Sequence, residues 1–350
     1  METLTDRPRG AAGEEGLRLL LPWQIEAEPP AWGHVVHSLQ GETMGTTWSV
    51  HLVGPPSLQL GAIRRAIDGT FGEIIAQMSN WEPGSDLCRF NRAPAGHHQV
   101  LPPAFATVVA AALAVARASG GAYDPSAGAL VNLWGFGPGL RHDAAGFTPP
   151  DAAQTRQATC GWQRLGWDAA SRTLLQPGNA TLDLSAIAKG YAVDRVAEVL
   201  DACGVQHHLV EIGGELRGTG LKPGAQPWWV DLEPPVRGCV LPVTRLALHG
   251  LAVATSGDYR RCFIDATGRR RSHTIDPRTG QPVAHGLASV SVVHPSAMMA
   301  DGWSTALMVL GPEAGLALAT EQNLAALLVL RRDDGEFDEL LTPALQEMAQ

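Results

Sequence analysis

The sequence predicts an α+β fold, in which mixed or antiparallel sheets are flanked by helices. Helical periodicity occurs at 60–79, 102–121, 181–204 and 296–310, and strand-like segments lie before, between and after these stretches. The two kinds of segment do not alternate regularly, as the βαβ units of a doubly wound parallel sheet would. The irregular mixture therefore favours α+β.

Each predicted helix has a recognisable end. The third could be capped by Ser185 and ended by Gly204, and the second, rich in alanine, ends at Gly120 and Gly121. The fourth stops at the Gly-Pro pair 311–312. The first helix has one apolar side, formed by Ile63, Ile67, Phe71, Ile74, Ile75 and Met78.

The predicted strands come from short apolar or alternating segments. They are "TTWSVHLVG", "HHLVEIGG", "WWVDLEPP", "TRLALHGLAVATSG" and "LASVSVVHP", and a last helix and strand follow at 313–330. Residues 1–38 are rich in Pro, Gly and Glu, and this composition predicts a partly ordered extension. Residues 39–350 are then expected to form one domain.

Composition excludes several classes of protein. The net charge of −9 argues against a general nucleic-acid binder, and 45% hydrophobic residues suffice for a buried core. No segment is apolar enough for a signal peptide or a membrane span. A cytoplasmic location is expected, with an exported one open if a leader is missing from this sequence. The five cysteines form no CxxC pair and are expected to be buried free thiols.

Asp301 and Thr305 are four residues apart in the predicted helix 296–310. Residues at this spacing lie on one helix face, one turn apart. A carboxylate and a hydroxyl offer two hard oxygen ligands to Mg²⁺, which completes its shell with water or substrate phosphate. Trp303 and Leu307 lie on a different face, toward the core. Taken alone, such an Asp–Thr pair is more often an ordinary surface pair.

Asp183 and Lys189 flank the start of the third predicted helix. Free N–H groups and a nearby ammonium at a helix start favour an anion. Gly190 costs about 1 kcal/mol relative to alanine inside a helix, which suggests a close approach to its backbone. An ordinary capped helix with an exposed lysine would explain the same residues.

Flat aromatic side chains complete the pattern. Trp81, Tyr123 and Trp134 could stack on a planar ring, although each could also be a core residue. The sequence contains no GxGxxG fingerprint, P-loop or GxSxG nucleophile motif. A hard-cation site, anion-binding turns and aromatic surfaces together suit a nucleotide-like ligand that carries a pyrophosphate.

Eight motifs then give a specific resemblance. They are "GETMGTTW", "MSNWEPGSDLCRFN", "DPSAGALVNLWGFGP", "LDLSAIAKGYAVDRV", "EIGGELRGTG", "AVATSGDYRR", "SHTIDPRTGQPV" and "ADGWSTALMVLG". Their order and rough spacing over residues 41–330 resemble the ApbE family, the FAD:protein FMN transferases. The resemblance implies a fold related to the T-fold, for residues 39–350. It also implies bound FAD and Mg²⁺, and transfer of FMN from FAD to a Thr or Ser hydroxyl of an acceptor protein, with release of AMP.

The resemblance also implies roles for individual residues. The Ala186 backbone carbonyl, Asp301 and Thr305 would bind Mg²⁺, and His273 would be the proton acceptor or orient the phosphate. Asp301 ranks second as a base. Trp81 stands where the family commonly has tyrosine, so it keeps a stacking surface but has no phenolic hydroxyl for a hydrogen bond. The residues implied to contact FAD are Met44, Trp81, Ala122, Tyr123, Asp124, Asp183, Lys189 and Ile275.

Two other functions are compatible with the same residues. An FAD pyrophosphatase would use the same metal site with water in place of the acceptor hydroxyl. A flavin-binding protein without chemistry would bind FAD independently of metal. The sequence does not identify the acceptor, the oligomeric state or the role of residues 1–38.

Overall fold

The computed structural model describes residues 16–22, 24–158, 160–236, 241–259 and 261–349. The strands are β1 (Leu17–Leu20), β2 (Val35–Thr43), β3 (Thr46–Gly54), β4 (His98–Val100), β5 (Gly166–Asp168), β6 (Thr173–Leu175), β7 (His208–Ile212), β8 (Glu215–Thr219), β9 (Trp228–Asp231), β10 (Val243–Leu248), β11 (Leu251–Gly257), β12 (Cys262–Ile264), β13 (Arg270–Ser272), β14 (Ile275–Asp276), β15 (Gln281–Pro282), β16 (Leu287–His294), β17 (Ala325–Arg331) and β18 (Phe337–Leu341). The helices are α1 (Leu60–Met78), α2 (Asp86–Arg92), α3 (Pro103–Ala118), α4 (Gly128–Leu133), α5 (Ala152–Gln157), α6 (Ala188–Ala202), α7 (Ala297–Leu310), α8 (Pro312–Glu321) and α9 (Pro343–Gln346).

The central element is an eight-stranded sheet in the order β18-β17-β16-β11-β8-β7-β3-β2. Every neighbouring pair in it is antiparallel. β1, β10 and β9 form a second, mixed sheet, in which β1 and β10 run parallel. The predicted α+β class, with mixed or antiparallel sheets and flanking helices, is therefore confirmed.

The central sheet separates two hydrophobic cores. Along β17, Ala326 and Leu328 belong to the larger core, whereas Leu327 and Val329 belong to the smaller one. This alternation follows from the two-residue period of a strand, which sends successive side chains to opposite faces. The larger core is covered by α1, α3, α6 and α7, and the smaller one contains residues of β1, β9 and β10.

The four long predicted helices are confirmed as α1, α3, α6 and α7. The apolar side of α1 is buried as expected except for Ile75, which is half-buried. The predicted cap at Ser185 is wrong: α6 begins at Ala188, and no side chain caps its start. The Ser185 amide instead donates to Asp183 Oδ1 at 2.8 Å. Aspartate side chains commonly accept from the amide two residues later, and this turn takes the place of a helix start at Ser185. Gly204 ends α6 with a φ of 78°.

The segment "GETMGTTW", the first of the eight motifs, contains a tight hairpin between β2 and β3. Thr43 pairs directly with Thr46, so Met44 and Gly45 form the whole turn. Both have positive φ, 47° and 70°, as hairpin turns of this kind require. Such turns usually contain Asn-Gly or a similar pair. Methionine is unusual at the first turn position, so the sequence does not indicate a hairpin here.

The described part of the predicted N-terminal extension contains β1 and the beginning of β2, while residues 1–15 lie outside the described residues. Cys88, Cys160, Cys203 and Cys262 are free thiols, although Cys203 is exposed and the other three are half-buried. Cys239 lies outside the described residues. No helix within the described ranges is long and apolar enough to cross a membrane.

Candidate active site

Asp301 connects the two helices that form the centre of the site. It lies on α7 and is only 4% exposed, and its Oδ2 accepts a hydrogen bond from the Gly190 amide of α6 at 3.1 Å. Gly190 is needed for this approach, because a Cβ there would lie 2.2 Å from the Ala297 carbonyl oxygen. The close approach to Gly190 that the sequence suggested is therefore made by α7.

The same hydrogen bond affects the first turn of α6. An α-helical amide donates to the carbonyl four residues earlier, which for Gly190 would be Ala186. The Gly190 amide is directed to Asp301 instead, and the Ala186 carbonyl receives no backbone hydrogen bond within the described ranges. Among the described residues, the Ala186 carbonyl oxygen is thus free of backbone hydrogen bonds at the start of α6.

Lys189 bonds to a carboxylate that the sequence analysis did not single out. Its Nζ donates to Oε1 of Glu215, the first residue of β8, and the Glu215 side chain is only 4% exposed. Burial alone would lower the pKa of Lys189, but the carboxylates of Asp301 and Glu215 raise it. The ammonium is therefore charged at neutral pH and lies between two acids. The sequence shows that Glu215 follows the glycine pair 213–214, but it does not show that Lys189 is its partner.

The two carboxylates carry an unfavourable electrostatic energy in this site. Burial raises the pKa of Asp301, and Lys189 opposes the shift. Burial also raises the pKa of Glu215, with Lys189 opposing and Asp301 adding to it. Oε2 of Glu215 has no hydrogen-bond partner among the described residues. A cation beside Asp301 would offset the cost of its buried charge.

Thr305 lies one turn after Asp301 on α7 and is half-buried. Its hydroxyl is 3.1 Å from the hydroxyl of Ser256 on β11, which also contacts Ser304 at 2.9 Å. The residues present fit Mg²⁺, since a carboxylate, a hydroxyl and a carbonyl are all hard oxygen donors. The described residues contain no group of three or more His, Cys, Asp or Glu that could hold a metal. A metal ion here would therefore need water or phosphate oxygens as further ligands.

Asp183 lies in the turn before α6 and is held from two sides. Oδ2 accepts from Asn80 Nδ2 at 2.9 Å, and Oδ1 accepts from the amide and the hydroxyl of Ser185. Asp183 and Asn80 line a cavity of about 160 Å³ that also borders Asn91 and Asn132. This polar cavity adjoins the start of α6, where the sequence predicted anion binding.

The segment Ala122 to Asp124 is buried next to Asp183, whose amide donates to the Pro125 carbonyl at 2.9 Å. Both oxygens of Asp124 are engaged: Oδ1 accepts from Ser126 and Oδ2 from the Trp162 amide at 3.0 Å. Burial raises the pKa of Asp124. This carboxylate therefore organises two loops, and it lines a second cavity of about 200 Å³ together with Trp162.

Tyr123 links this segment to the centre of the site. Its hydroxyl is buried and has no hydrogen-bond partner in the described part of the chain. Burial raises its pKa, and the carboxylates of Asp301, Asp183 and Asp124 raise it further. The phenol therefore remains neutral and lies within electrostatic range of all three acids.

His273 follows β13 and has a defined tautomer. Its Nδ1 lies 3.0 Å from the Arg261 carbonyl oxygen, which can only accept, so Nδ1 carries the proton and Nε2 has the free lone pair. Burial lowers the pKa of His273 to about 4, and the nearby Arg261 and Lys189 lower it too. The ring is half-buried with its edge toward Phe136, at 6.2 Å between centroids. It is a neutral base at neutral pH.

Electrostatic coupling links these residues in a series: His273 to Lys189, Lys189 to Asp301, and Tyr123 to both Asp301 and Asp183. The described contacts do not connect Met44, Trp81 or Ile275 directly to these five. Met44 is half-buried at the β2–β3 turn, Trp81 is 54% exposed on a loop, and Ile275 packs in a small core with Leu130 and Trp134. Trp134, considered from sequence as a stacking surface, is buried and donates to the Gly280 carbonyl at 2.9 Å.

The fold matches that of known flavin transferases. The crystal structure of apo flavinyl transferase ApbE from Pseudomonas stutzeri aligns with a TM-score of 0.81 and 40% identity, over 90% of this chain and 97% of that one. Flavin transferase ApbE from Vibrio cholerae aligns with a TM-score of 0.80 and 35% identity, over 89% and 99%. The FAD:protein FMN transferase of Haemophilus influenzae is 38% identical over 314 residues, which is 86% of this chain and 88% of that protein.

The ApbE family profile matches residues 44–328. The chain belongs to the ApbE family. The resemblance found in the eight sequence motifs is therefore confirmed.

Proposed function

We propose that this chain is a Mg²⁺-dependent FAD:protein FMN transferase that attaches FMN to a threonine or serine hydroxyl of an acceptor protein. Membership of the ApbE family supports the transferase activity. The observation that carries the metal dependence is the buried Asp301. It accepts a hydrogen bond from the diverted Gly190 amide and lies one turn from Thr305.

Asp301, Thr305 and the Ala186 carbonyl would hold the metal. Mg²⁺, when bound, neutralises charge on the oxygens of a diphosphate and aligns them for in-line displacement. Lys189 lies close enough to Asp301 for each charge to shift the other's pKa, so its ammonium can bind the same diphosphate. Glu215 holds that ammonium in place through an ion pair.

His273 is proposed as the general base. The Arg261 carbonyl fixes the proton on Nδ1, which leaves Nε2 to accept the proton of the acceptor hydroxyl. The hydroxyl oxygen then forms a bond to the phosphorus of the FMN half of FAD. The phosphorus–oxygen bond to the AMP half breaks, and AMP leaves with that oxygen. The proton remains on Nε2 until solvent removes it.

The flavin nucleotide is proposed to bind along the turns that precede α6. Asp183 and the segment Ala122–Tyr123–Asp124 surround this region, and Lys189 marks its phosphate end. Met44, Trp81 and Ile275 are proposed to contact FAD from the hairpin, the 79–85 loop and the segment after His273. The exposed indole of Trp81 offers a flat face without a phenolic hydroxyl.

Flavin transfer can be tested with purified chain, FAD and Mg²⁺ added to a lysate of a strain that lacks this protein. We expect one or more proteins to retain flavin fluorescence in a denaturing gel, and peptide mass spectrometry to locate FMN on Thr or Ser. A reaction without lysate is the control. Free FMN and AMP formed rapidly in that control, with no labelled protein in the lysate, would show a pyrophosphatase instead. Tight FAD binding with no reaction would show a binding protein.

A further inference from the structure

Asp194 of α6 caps the beginning of α7. It is 7% exposed, and its carboxylate accepts hydrogen bonds from three successive residues where α7 starts. Oδ2 accepts from the Ser296 hydroxyl at 2.7 Å and from the Met298 amide at 3.0 Å, and Oδ1 accepts from the Ala297 amide at 2.9 Å. Arg217 of β8 donates to Oδ1 as well. A residue more than a hundred positions away thus satisfies the free amides of a helix start.

This cap and the hydrogen bond between Gly190 and Asp301 join the same two helices. Gly190 and Asp194 are four residues apart on α6 and so lie on the same face. Asp194 fixes α7 at its first turn, and Gly190 bonds to Asp301 about one turn further along. Two attachment points of this kind prevent α7 from sliding along α6 or rotating about its axis.

We propose that Asp194 is a positioning residue of the active site, which sets where α7 lies on α6 and thereby places Asp301 and Thr305 to hold Mg²⁺. The inference rests on the proposed function, because it concerns the metal used for flavin transfer. Asp194 itself does not contact the site residues Asp301 or Thr305 through any hydrogen bond found among the described residues. Its effect passes through the backbone of α7.

The contacts of Asp194 require two acceptor oxygens. Four donors converge on the carboxylate, two on each oxygen. Asparagine of the same size has one acceptor oxygen, and its amide would face two of these donors. D194N therefore disturbs the start of α7 without removing any group proposed to touch metal, FAD or acceptor.

The experiment measures the Mg²⁺ concentration that half-saturates FMN transfer, and separately the Mg²⁺-dependent tightening of FAD binding, followed by flavin fluorescence without acceptor. All measurements are made well below the unfolding temperature of each variant. For D194N we expect the half-saturating Mg²⁺ concentration to rise about 10- to 100-fold, as for other partners that orient metal ligands. S296A removes one of the four donors and is expected to raise it about fivefold.

D201N is the matched control. Asp201 is also on α6 but is exposed and pairs with His208, so this variant should leave the Mg²⁺ dependence unchanged. A merely structural role for Asp194 would lower the unfolding temperature and leave the half-saturating Mg²⁺ concentration of the folded protein at the parent value. That result in both D194N and S296A would overturn the inference while the proposed function stands. If the parent chain itself shows no response to Mg²⁺, the proposed metal site and this inference both fail.

Discussion

Replacing Gly190 by alanine should destabilise the protein, although alanine is the better helix former. A methyl group at this position would lie 2.2 Å from the Ala297 oxygen, 2.6 Å from its carbonyl carbon and 2.8 Å from the Met298 Cα. All three are backbone atoms of α7, so no side-chain rotation relieves the overlap. The two helices would have to separate by about 1 Å to restore ordinary contact distances.

The magnitude follows from two opposing effects. Removing glycine from a helix interior stabilises by about 1 kcal/mol. Overpacking costs about 1–3 kcal/mol, and the rigid backbone on the other side argues for the upper end of that range. The expected net loss in free energy of unfolding is about 2 kcal/mol, which lowers the unfolding temperature of a chain of this size by roughly 3 °C. Separation of the helices should also lengthen the bond from residue 190 to Asp301.

The assay compares thermal and urea unfolding of G190A, the parent and G72A. Gly72 lies on the exposed side of α1, where an added Cβ meets no atom within 4 Å. G72A should therefore stabilise by about 0.5–1 kcal/mol. The argument about the α6–α7 contact is refuted if G190A is as stable as the parent, or gains stability as G72A does.

Three further predictions concern the reaction. H273A should bind FAD as the parent does but lose transfer, since the proposed base for the hydroxyl proton is gone; transfer at the parent rate would show that His273 is not the base. The His273 ring should stay neutral as the pH falls from 8 to about 5, because burial lowers its pKa to about 4. Its NMR signal can be identified as the imidazole signal that is missing in H273A. A titration midpoint near pH 6.5 would contradict the lowered pKa. D301N retains an oxygen that can accept from the Gly190 amide, but it loses the charge that would hold the metal, so transfer should fall by about 100-fold or more and FAD binding should no longer respond to Mg²⁺. An unchanged Mg²⁺ response in D301N would place the metal elsewhere.

The secondary structure was largely predictable because it depends on local spacing. The apolar periodicity of 60–79 predicted α1, and the Asp–Thr spacing on α7 predicted that Asp301 and Thr305 share a face. The first residue of α6 was not predictable from sequence. The turn formed by Asp183 and Ser185 depends on neighbouring residues just as a helix cap does, so the local sequence does not distinguish the two. The hairpin at Met44 was not predictable from sequence, because its positive φ values are imposed by the pairing of two strands.

The amino-acid sequence determined the family of this protein, the positions of its long helices and the types of side chain that could hold a flavin nucleotide and a cation. Only the tertiary structure decided how they act together. Asp301 and Gly190 are 111 positions apart, Asp194 and Ala297 are 103 apart, and Lys189 meets Glu215 on a strand of the central sheet. The reason is that periodicity acts over a few residues and fixes which face of an element a side chain occupies. The partner on that face, and with it the burial and charge of the site, is set by how distant elements pack.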